Sequence, residues 1–188
     1  VPNNLENEAL GSRKVPFARE LYIERDDFME NPPKKYFRLF PGNEVRLMGA
    51  YFIKCEDFVK DENGEIVEVL CTYDPETKSG SGFTGRKVKG TIHWVSAKEA
   101  VPVQVRLLGE LLLEDAQGEN FLDRVNRNSL TTLAAYAEPV VQGAKPEDKF
   151  QFVRNGFFCA DSKYSTPEHL VFNRTVSLKS SWQPEKDK

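Results

Sequence analysis

Five side chains are the first candidates for chemistry, because thiols and imidazoles bind metals and act as nucleophiles or bases: Cys55, Cys71, Cys159, His93 and His169. The cysteines form no Cys-x-x-Cys pair, so the spacing typical of metal ligands is missing. Each cysteine lies within an apolar, strand-like run. We therefore predict three buried free thiols in a reducing compartment, with no metal and no redox chemistry.

The sequence also lacks the common motifs of catalysis. It has no Gly-x-x-x-x-Gly-Lys-Ser/Thr loop for a nucleotide and no Gly-x-Ser-x-Gly turn for a nucleophilic serine. His93, within Thr-Ile-His-Trp-Val, is predicted to be structural, with a ring nitrogen bonded to a neighbouring strand, and no motif surrounds His169. We predict no catalytic residue.

Charge is distributed unevenly along the chain. The net charge of -3 and the pI of about 5.6 argue against a protein that binds nucleic acid through its overall charge. Basic residues nevertheless concentrate at 34–46 and 86–89, and a few arginines on an acidic body suffice for local recognition. No window approaches the ~20 apolar residues of a membrane helix, and no signal peptide opens the chain. We expect a cytoplasmic protein.

Short strands separated by turns must position any functional side chain. Apolar and polar residues alternate in many runs, and no helical segment exceeds about two turns, so the sequence predicts an all-β sandwich or barrel. The predicted strands are Lys14–Ile23, Val45–Phe58, Ile66–Tyr73, Val88–Val95, Val101–Leu108, Leu130–Ala137, Lys149–Arg154, Gly156–Asp161 and Val171–Leu178. Asn63-Gly64 predicts a type I′ hairpin turn. Residues 74–85 are expected to form a mobile surface loop, and Asn120 to cap a short helix at 121–125.

One segment, residues 86–105 (RKVKGTIHWVSAKEAVPVQV), is the most distinctive part of the sequence. Together with GSRKVPF at 11–17, ELYIERDDF at 20–28, NEVRL at 43–47 and VFNRTVSL at 171–178, it resembles the C-terminal, anticodon-binding half of glutaminyl-tRNA synthetases. The resemblance extends in order from about Val1 to Trp182.

The resemblance implies a specific fold and domain organisation. It predicts two small six-stranded β-barrels, the distal one (29–96) inserted into the chain of the proximal one (14–28 and 97–182). Residues 1–13 would connect to an upstream catalytic part, which agrees with a chain that opens on valine, and residues 183–188 would form a tail. The class I activation motifs His-Ile-Gly-His and Lys-Met-Ser-Lys-Ser do not occur here. ATP and Mg²⁺ would therefore serve only the parent ligase.

The resemblance also assigns residues to the anticodon loop of tRNA-Gln, the expected partner of a monomeric protein. Arg46 would read the first anticodon base, Arg38 the third, and Gln151 with Arg154 the central uracil. Both Arg38 and Arg46 are expected on strand edges, projecting from the surface. Gln151 and Arg154 have an odd spacing, which places them on opposite strand faces unless a bend intervenes. Lys35, Phe37 and Ser181 occupy further contact positions; Phe37 would stack on a base or belong to the core.

Three alternatives stay open at this point. The same region of a glutamyl-tRNA synthetase shares the Ile-His-Trp-like strand. A stand-alone β-barrel protein that binds ribosomal RNA would have a similar pattern of short strands. A purely structural β-domain would bind no RNA at all.

Overall fold

The fold is all-β, as the sequence predicts. The computed structural model describes residues 1–4, 6–113 and 121–178. This part of the chain contains eleven strands and five short 3-10 helices, the longest of which is Pro139–Gly143. Contacts divide the chain into two compact units, Val1–Lys98 and Glu99–Lys188. In the described ranges, no helix has the length and apolar character needed to cross a bilayer.

The first unit contains a four-stranded and a two-stranded sheet. Its strands are β1 Leu21–Ile23, β2 Glu44–Leu47, β3 Phe52–Lys60, β4 Ile66–Asp74, β5 Thr91–Ile92 and β6 Trp94–Ser96. The larger sheet has the order β4-β3-β2-β5, in which β2 and β5 are parallel and the other pairs antiparallel. The second sheet pairs β1 with β6. Alternate residues of β2, Val45 and Leu47, are fully buried in the core, which leaves Arg46 between them on the opposite face.

Two turns in this unit differ from the sequence prediction. The predicted strand Val45–Phe58 is broken after Leu47, because Gly49 adopts φ +68° and Ala50 N–H donates to the Leu47 carbonyl at 2.9 Å. The hairpin around Asn63-Gly64 is confirmed, but its type I′ turn is wrong, since of the two residues only Gly64 has positive φ. The carboxylate of Asp61 accepts the N–H groups of Asn63 and Glu65 and so holds a longer, five-residue connection.

The second unit contains one five-stranded sheet. Its strands are β7 Val101–Leu108, β8 Leu130–Ala137, β9 Lys149–Phe152, β10 Gly156–Ala160 and β11 Leu170–Val176, in the order β8-β7-β11-β10-β9. Only β7 and β11 pair in parallel. The stacked rings of Phe152 and Phe158, 4.4 Å apart, and the buried Phe172 form the aromatic centre of its core.

A buried carboxylate ties three segments of the second unit together. Asp161 accepts the side-chain amide of Asn173 at 2.6 Å and the guanidinium of Arg106 at 3.2 Å. Its other oxygen accepts the backbone N–H groups of Lys163 and Tyr164 at 2.8 and 2.7 Å. These bonds, the Asn173 bond first, hold the pKa of Asp161 below its usual value. The carboxylate is therefore ionised at neutral pH and fixes the turn that follows β10.

The barrel predictions are confirmed only at the level of an all-β fold. The described sheets are open, with four, two and five strands, and no closed six-stranded barrel is present among them. Residues 14–28 were assigned to the proximal barrel; in the structure Val15, Leu21 and Ile23 pack against the core of the first unit. The insertion of one barrel into the other stays a prediction. The tail at 183–188 and the predicted cap Asn120 lie outside the described residues.

The three cysteines lie in strands, as predicted, but not all are buried. Cys55 on β3 is fully buried, Cys159 on β10 is intermediate, and Cys71 on β4 is exposed. The prediction of three buried thiols is thus confirmed for Cys55, wrong for Cys71, and met only in part by Cys159. Periodicity places its side chain on the inner face of the hairpin, but the core does not cover that end of β4.

Candidate nucleic-acid interface

The segment that carries Arg38 is held against a 3-10 turn, Arg25–Asp27. The hydroxyl of Tyr36 donates to the Asp26 carbonyl at 2.9 Å. Next to it, the Leu39 N–H donates to the Asp27 carbonyl at 2.9 Å, and the Leu39 side chain is buried in the core. Tyr36 and Leu39 are thus both anchored, which fixes the backbone position of Arg38 between them.

Arg38 itself is attached to the same turn through one nitrogen. Its Nη1 donates to the Asp26 carbonyl and pairs with Asp27 Oδ1, both at 3.1 Å. The Asp27 side chain is completely buried, whereas the Arg38 side chain is 40% exposed. Arg38 lies in a bend, so its predicted place on a strand edge is wrong. Among the described residues, its Nε and Nη2 have no hydrogen-bond partner.

Arg46, on β2, is attached in the same manner. Its Nη1 donates to the Thr77 carbonyl at 3.2 Å and to the Ser79 hydroxyl at 2.9 Å. Its guanidinium carbon lies 4.2 Å from the centre of the buried Phe52 ring. This arrangement again leaves Nε and Nη2 unbonded within the described part of the chain. The expectation that Arg46 simply projects from the surface is therefore wrong, since the side chain is half-buried and held from two sides.

The support for Arg46 comes from a segment that sequence reasoning assigned to a mobile surface loop. A 3-10 turn, Pro75–Thr77, begins this segment, and the Asp74 carboxylate caps it by accepting the Glu76 N–H. Thr77 is fully buried; its hydroxyl donates to the Asp74 carbonyl at 2.7 Å and accepts the Phe52 N–H at 2.8 Å. The sequence does contain a signal for this turn, because Asp74 is a favoured cap and Pro75 follows it at the first helical position.

Phe37 and Lys89 bring the two basic segments of the sequence together. Phe37 is 50% exposed, which excludes the core interpretation, and Lys89 Nζ lies 5.4 Å from the centre of its ring. Gly90 makes this approach possible, because a Cβ there would lie 1.8 Å from the Phe37 carbonyl oxygen. Lys35 is exposed in the preceding turn with φ +70°. Lys89 is thus a further candidate for contact with nucleic acid, which the sequence indicated only as part of the basic run 86–89.

Arg86, in contrast, is neutralised within the protein. Its Nε donates to Glu44 Oε2 at 2.8 Å, and its Nη2 pairs with Asp74 Oδ2 at 2.8 Å. These bonds, the Glu44 bond first, raise its pKa. The guanidinium also lies 5.3 Å from the Phe52 ring. Arg86 therefore helps to hold the Phe52 ring in place, whereas the charged side chains of Lys87 and Lys89 are exposed.

The second unit places Gln151 and Arg154 around the end of β9. Gln151 is exposed on that strand, opposite Phe157, which is itself 45% exposed. The strand ends at Phe152, and Arg154 lies in the following turn with φ +69°. The required bend is therefore present, and the two residues do not share one strand. Ser181 lies outside the described residues.

The described residues form no group of three or more His, Cys, Asp or Glu side chains able to hold a metal. His169 Nε2 lies 2.9 Å from the Gln104 amide oxygen, a contact within the second unit. The described residues of both units present hydrogen-bond donors, charges and exposed rings, which suit the recognition of base edges and phosphates.

Comparison with known proteins places this arrangement in a family. Residues 1–74 and residues 91–161 match two models, each described as tRNA synthetases class I (E and Q), anti-codon binding domain. The chain belongs to this family of anticodon-binding domains, and the resemblance seen in the sequence is confirmed.

Individual relatives narrow the subgroup. The chain is 63% identical over 190 residues to the glutamine–tRNA ligase of Clostridioides difficile strain 630, covering 99% of this chain and 34% of the relative. It is 59% identical over 186 residues to that of Clostridium perfringens, covering 97% and 34%. With that of Nitrobacter hamburgensis it shares 51% over 181 residues, covering 96% and 32%. The chain thus spans about a third of the length of these relatives. Their shared name does not favour the glutamyl-tRNA synthetase alternative.

Proposed function

We propose that this chain reads the anticodon loop of tRNA-Gln on behalf of a glutamine–tRNA ligase. The proposal depends on one observation: Arg38 and Arg46 are held by the protein in the same way. Each guanidinium is fixed to the protein through Nη1, and each keeps Nε and Nη2 for another partner. Nε and Nη2 are adjacent, parallel donors, the pair that a guanidinium uses for bidentate contacts.

Anchoring of this kind favours base recognition over a general grip on phosphate. A free arginine loses up to about 2 kcal/mol of side-chain entropy when it is ordered, and here the protein has already ordered it. Binding of a base then costs less side-chain entropy. Because the donors are held in place, they cannot move to bond a base edge that lies in a different position. Following the family resemblance, Arg46 would read the first anticodon base and Arg38 the third.

Other residues complete the proposed interface. Gln151 and Arg154 read the central uracil from the second unit, and Ser181 contacts the loop. Phe37 offers an exposed ring for base stacking, worth ~1–3 kcal/mol, and Lys35 with Lys89 supplies positive charge beside it.

The parent ligase would use ATP and Mg²⁺ to charge tRNA-Gln with glutamine, in the cytoplasm and as a monomer. That chemistry belongs to the part of the ligase beyond this chain, so the chain alone would not activate glutamine. We further propose that the open sheets of the two units represent small barrels of the predicted kind. The high share of β-structure and the family match support this.

The test is binding of a fluorescein-labelled tRNA-Gln anticodon stem-loop, compared with loops altered at one base, by fluorescence anisotropy at low salt. Arg46→Ala should abolish the preference for the cognate first base and keep the third-base preference. Arg38→Ala should do the opposite. Each lost bidentate contact should reduce discrimination roughly 5- to 150-fold, by analogy with base-edge readout in DNA, about 1–3 kcal/mol. The exposed Arg19 provides the control: Arg19→Ala should change neither preference.

Two results would count against the proposal. If the cognate loop binds no better than a scrambled loop, specificity does not lie in this chain. If both arginine variants weaken all loops equally, the arginines contact phosphate only. All variants must be compared at a temperature where each is folded, because the contacts of both side chains also contribute to stability.

A further inference from the structure

Two cysteines that the proposed function does not use lie directly opposite each other. Cys55 on β3 and Cys71 on β4 are Cα partners in the antiparallel ladder. Cross-strand neighbours project to the same face of a sheet. The Cys55 side chain is also one of the groups that raise the pKa of Cys71, in agreement with two neighbouring thiols. The sequence separates these residues by a long hairpin, so their pairing is visible only in the structure.

The backbone of Cys55 shows which kind of cross-strand pair this is. Its N–H donates to the Asn43 carbonyl at 3.1 Å, and its carbonyl accepts the Gly42 N–H at 2.9 Å. Both groups therefore point away from β4, which makes Cys55 and Cys71 a non-hydrogen-bonded pair. In such pairs the Cα atoms are ~4.5 Å apart and the side chains are at their closest. That separation lies within the ~4.4–6.8 Å that a disulfide spans.

The two thiols differ in their access to solvent. Cys55 is completely buried in the core of the first unit. Cys71 is exposed and lines a cavity of about 670 Å³ together with Ile53 and Val69. A reagent in solution can therefore reach Cys71 first, and Cys55 stands beside it, shielded, as a second thiol.

We propose that Cys55 and Cys71 are a redox-active pair that closes to an intrachain disulfide by exchange with a small disulfide such as oxidised glutathione. The Cys71 thiolate attacks one sulfur of the small disulfide and releases one small thiol. The Cys55 thiolate then attacks the Cys71 sulfur, forms the intrachain bond and releases the second small thiol. The two cysteines lose two electrons, which the small disulfide gains, and their two protons end on the released thiols.

Slow exchange at neutral pH is an expected property of this pair. Although Cys71 is exposed in part, loss of water around its thiol is the main cause that raises its pKa to about 12, and burial also raises the pKa of Cys55. Only the thiolate attacks, so the rate should increase about tenfold per pH unit from pH 7 to pH 9. A pair of thiols with raised pKa would respond to sustained oxidising conditions and not to brief ones.

The experiment exposes the chain to oxidised glutathione at pH 8.5, followed by acid quenching and mass spectrometry of the intact protein and its peptides. Wild type should lose the mass of two hydrogen atoms, its thiol count in denaturant should fall from three to one, and one peptide should link Cys55 to Cys71. Dithiothreitol should reverse all three changes. Cys159→Ser serves as the matched control and should still form the link.

Variants of the pair distinguish the two steps. Cys71→Ser should take up no glutathione at Cys55, and Cys55→Ala should stop as a mixed disulfide on Cys71. Thermal unfolding by circular dichroism identifies any variant that does not fold. If a variant does not fold, the wild-type protein alone still tests whether the disulfide forms. Three thiols remaining after equilibration, a lasting glutathione adduct on wild-type Cys71, or a link to Cys159 would each overturn the proposal.

Discussion

Replacing Arg46 by alanine should destabilise the first unit, although the side chain is proposed to contact RNA. The change removes two hydrogen bonds from a charged donor, to the Thr77 carbonyl and the Ser79 hydroxyl, and the contact with the Phe52 ring. After the change, the guanidinium of Arg86 still lies 5.3 Å from the centre of the Phe52 ring. This contact is longer than the 4.2 Å contact of Arg46 that is lost.

The magnitude follows from these contacts. Both hydrogen bonds share Nη1, so together they contribute about 2–3 kcal/mol, and the ring contact adds about 1–2 kcal/mol. Against this, alanine recovers about 2 kcal/mol of side-chain entropy. We expect the free energy of unfolding to fall by about 2 kcal/mol, which lowers Tm by about 4–8 °C for a chain of this size.

Urea unfolding followed by tryptophan fluorescence measures this change. Trp94 is buried in the first unit, and its indole N–H donates to the Met48 carbonyl, so its emission reports on that unit. A Trp182→Phe background removes the only other tryptophan. Arg19→Ala is the control and should leave the midpoint unchanged, because Arg19 is exposed. An Arg46→Ala midpoint equal to that of wild type would refute the reasoning and restore the simpler interpretation of a projecting side chain.

Three further predictions follow from other contacts. Arg38→Ala should lower the free energy of unfolding by about 1–3 kcal/mol in the same fluorescence assay, since it removes one ion pair of the buried Asp27 carboxylate; no loss would mean that water replaces the arginine at no cost. Gly90→Ala should unfold the first unit or displace the Phe37 segment, measurable as lost near-UV dichroism, because its Cβ would overlap the Phe37 carbonyl; a native spectrum would contradict this. Asp161→Asn should be less stable than wild type near pH 7, and the difference should shrink as the pH falls below about 4, because a carboxylate with a lowered folded-state pKa stabilises the fold only while it is ionised. A difference that stays constant with pH in urea melts followed by circular dichroism would exclude Asp161 as its source.

Short runs between turn signals were enough to predict several strands of this protein from its sequence. The predicted strands Val101–Leu108 and Leu130–Ala137 have the observed bounds, and the predicted hairpin at Asn63-Gly64 is present. The failures occur where distant contacts override local pattern. The run from Val45 to Phe58 is rich in apolar and aromatic residues and was predicted as one strand, but a turn in which Gly49 has φ +68° divides it.

The candidate interface was predictable only in part, for the same reason. The resemblance pointed to Arg38 and Arg46, but it did not indicate their partners, Asp27 and Thr77, the second of which lies in a segment predicted to be a mobile loop. Hydrogen bonds between such segments depend on tertiary packing, which no local signal encodes. Cys71 is a similar case, since its exposure depends on how far the core extends along β4.

The topology of the first unit sets an order of events during synthesis on the ribosome. Strand β2, which carries Arg46, pairs in parallel with β5 at Thr91, and β1 pairs with β6 at Trp94–Ser96. Hairpin β3–β4 can form early because its strands are adjacent in the chain. The Arg46 strand, in contrast, stays an open edge until the last segment of the unit has left the ribosomal tunnel. Translational pausing while Thr91 and Ile92 are still inside the tunnel would therefore expose an unpaired β-edge, and pausing after they have emerged would not.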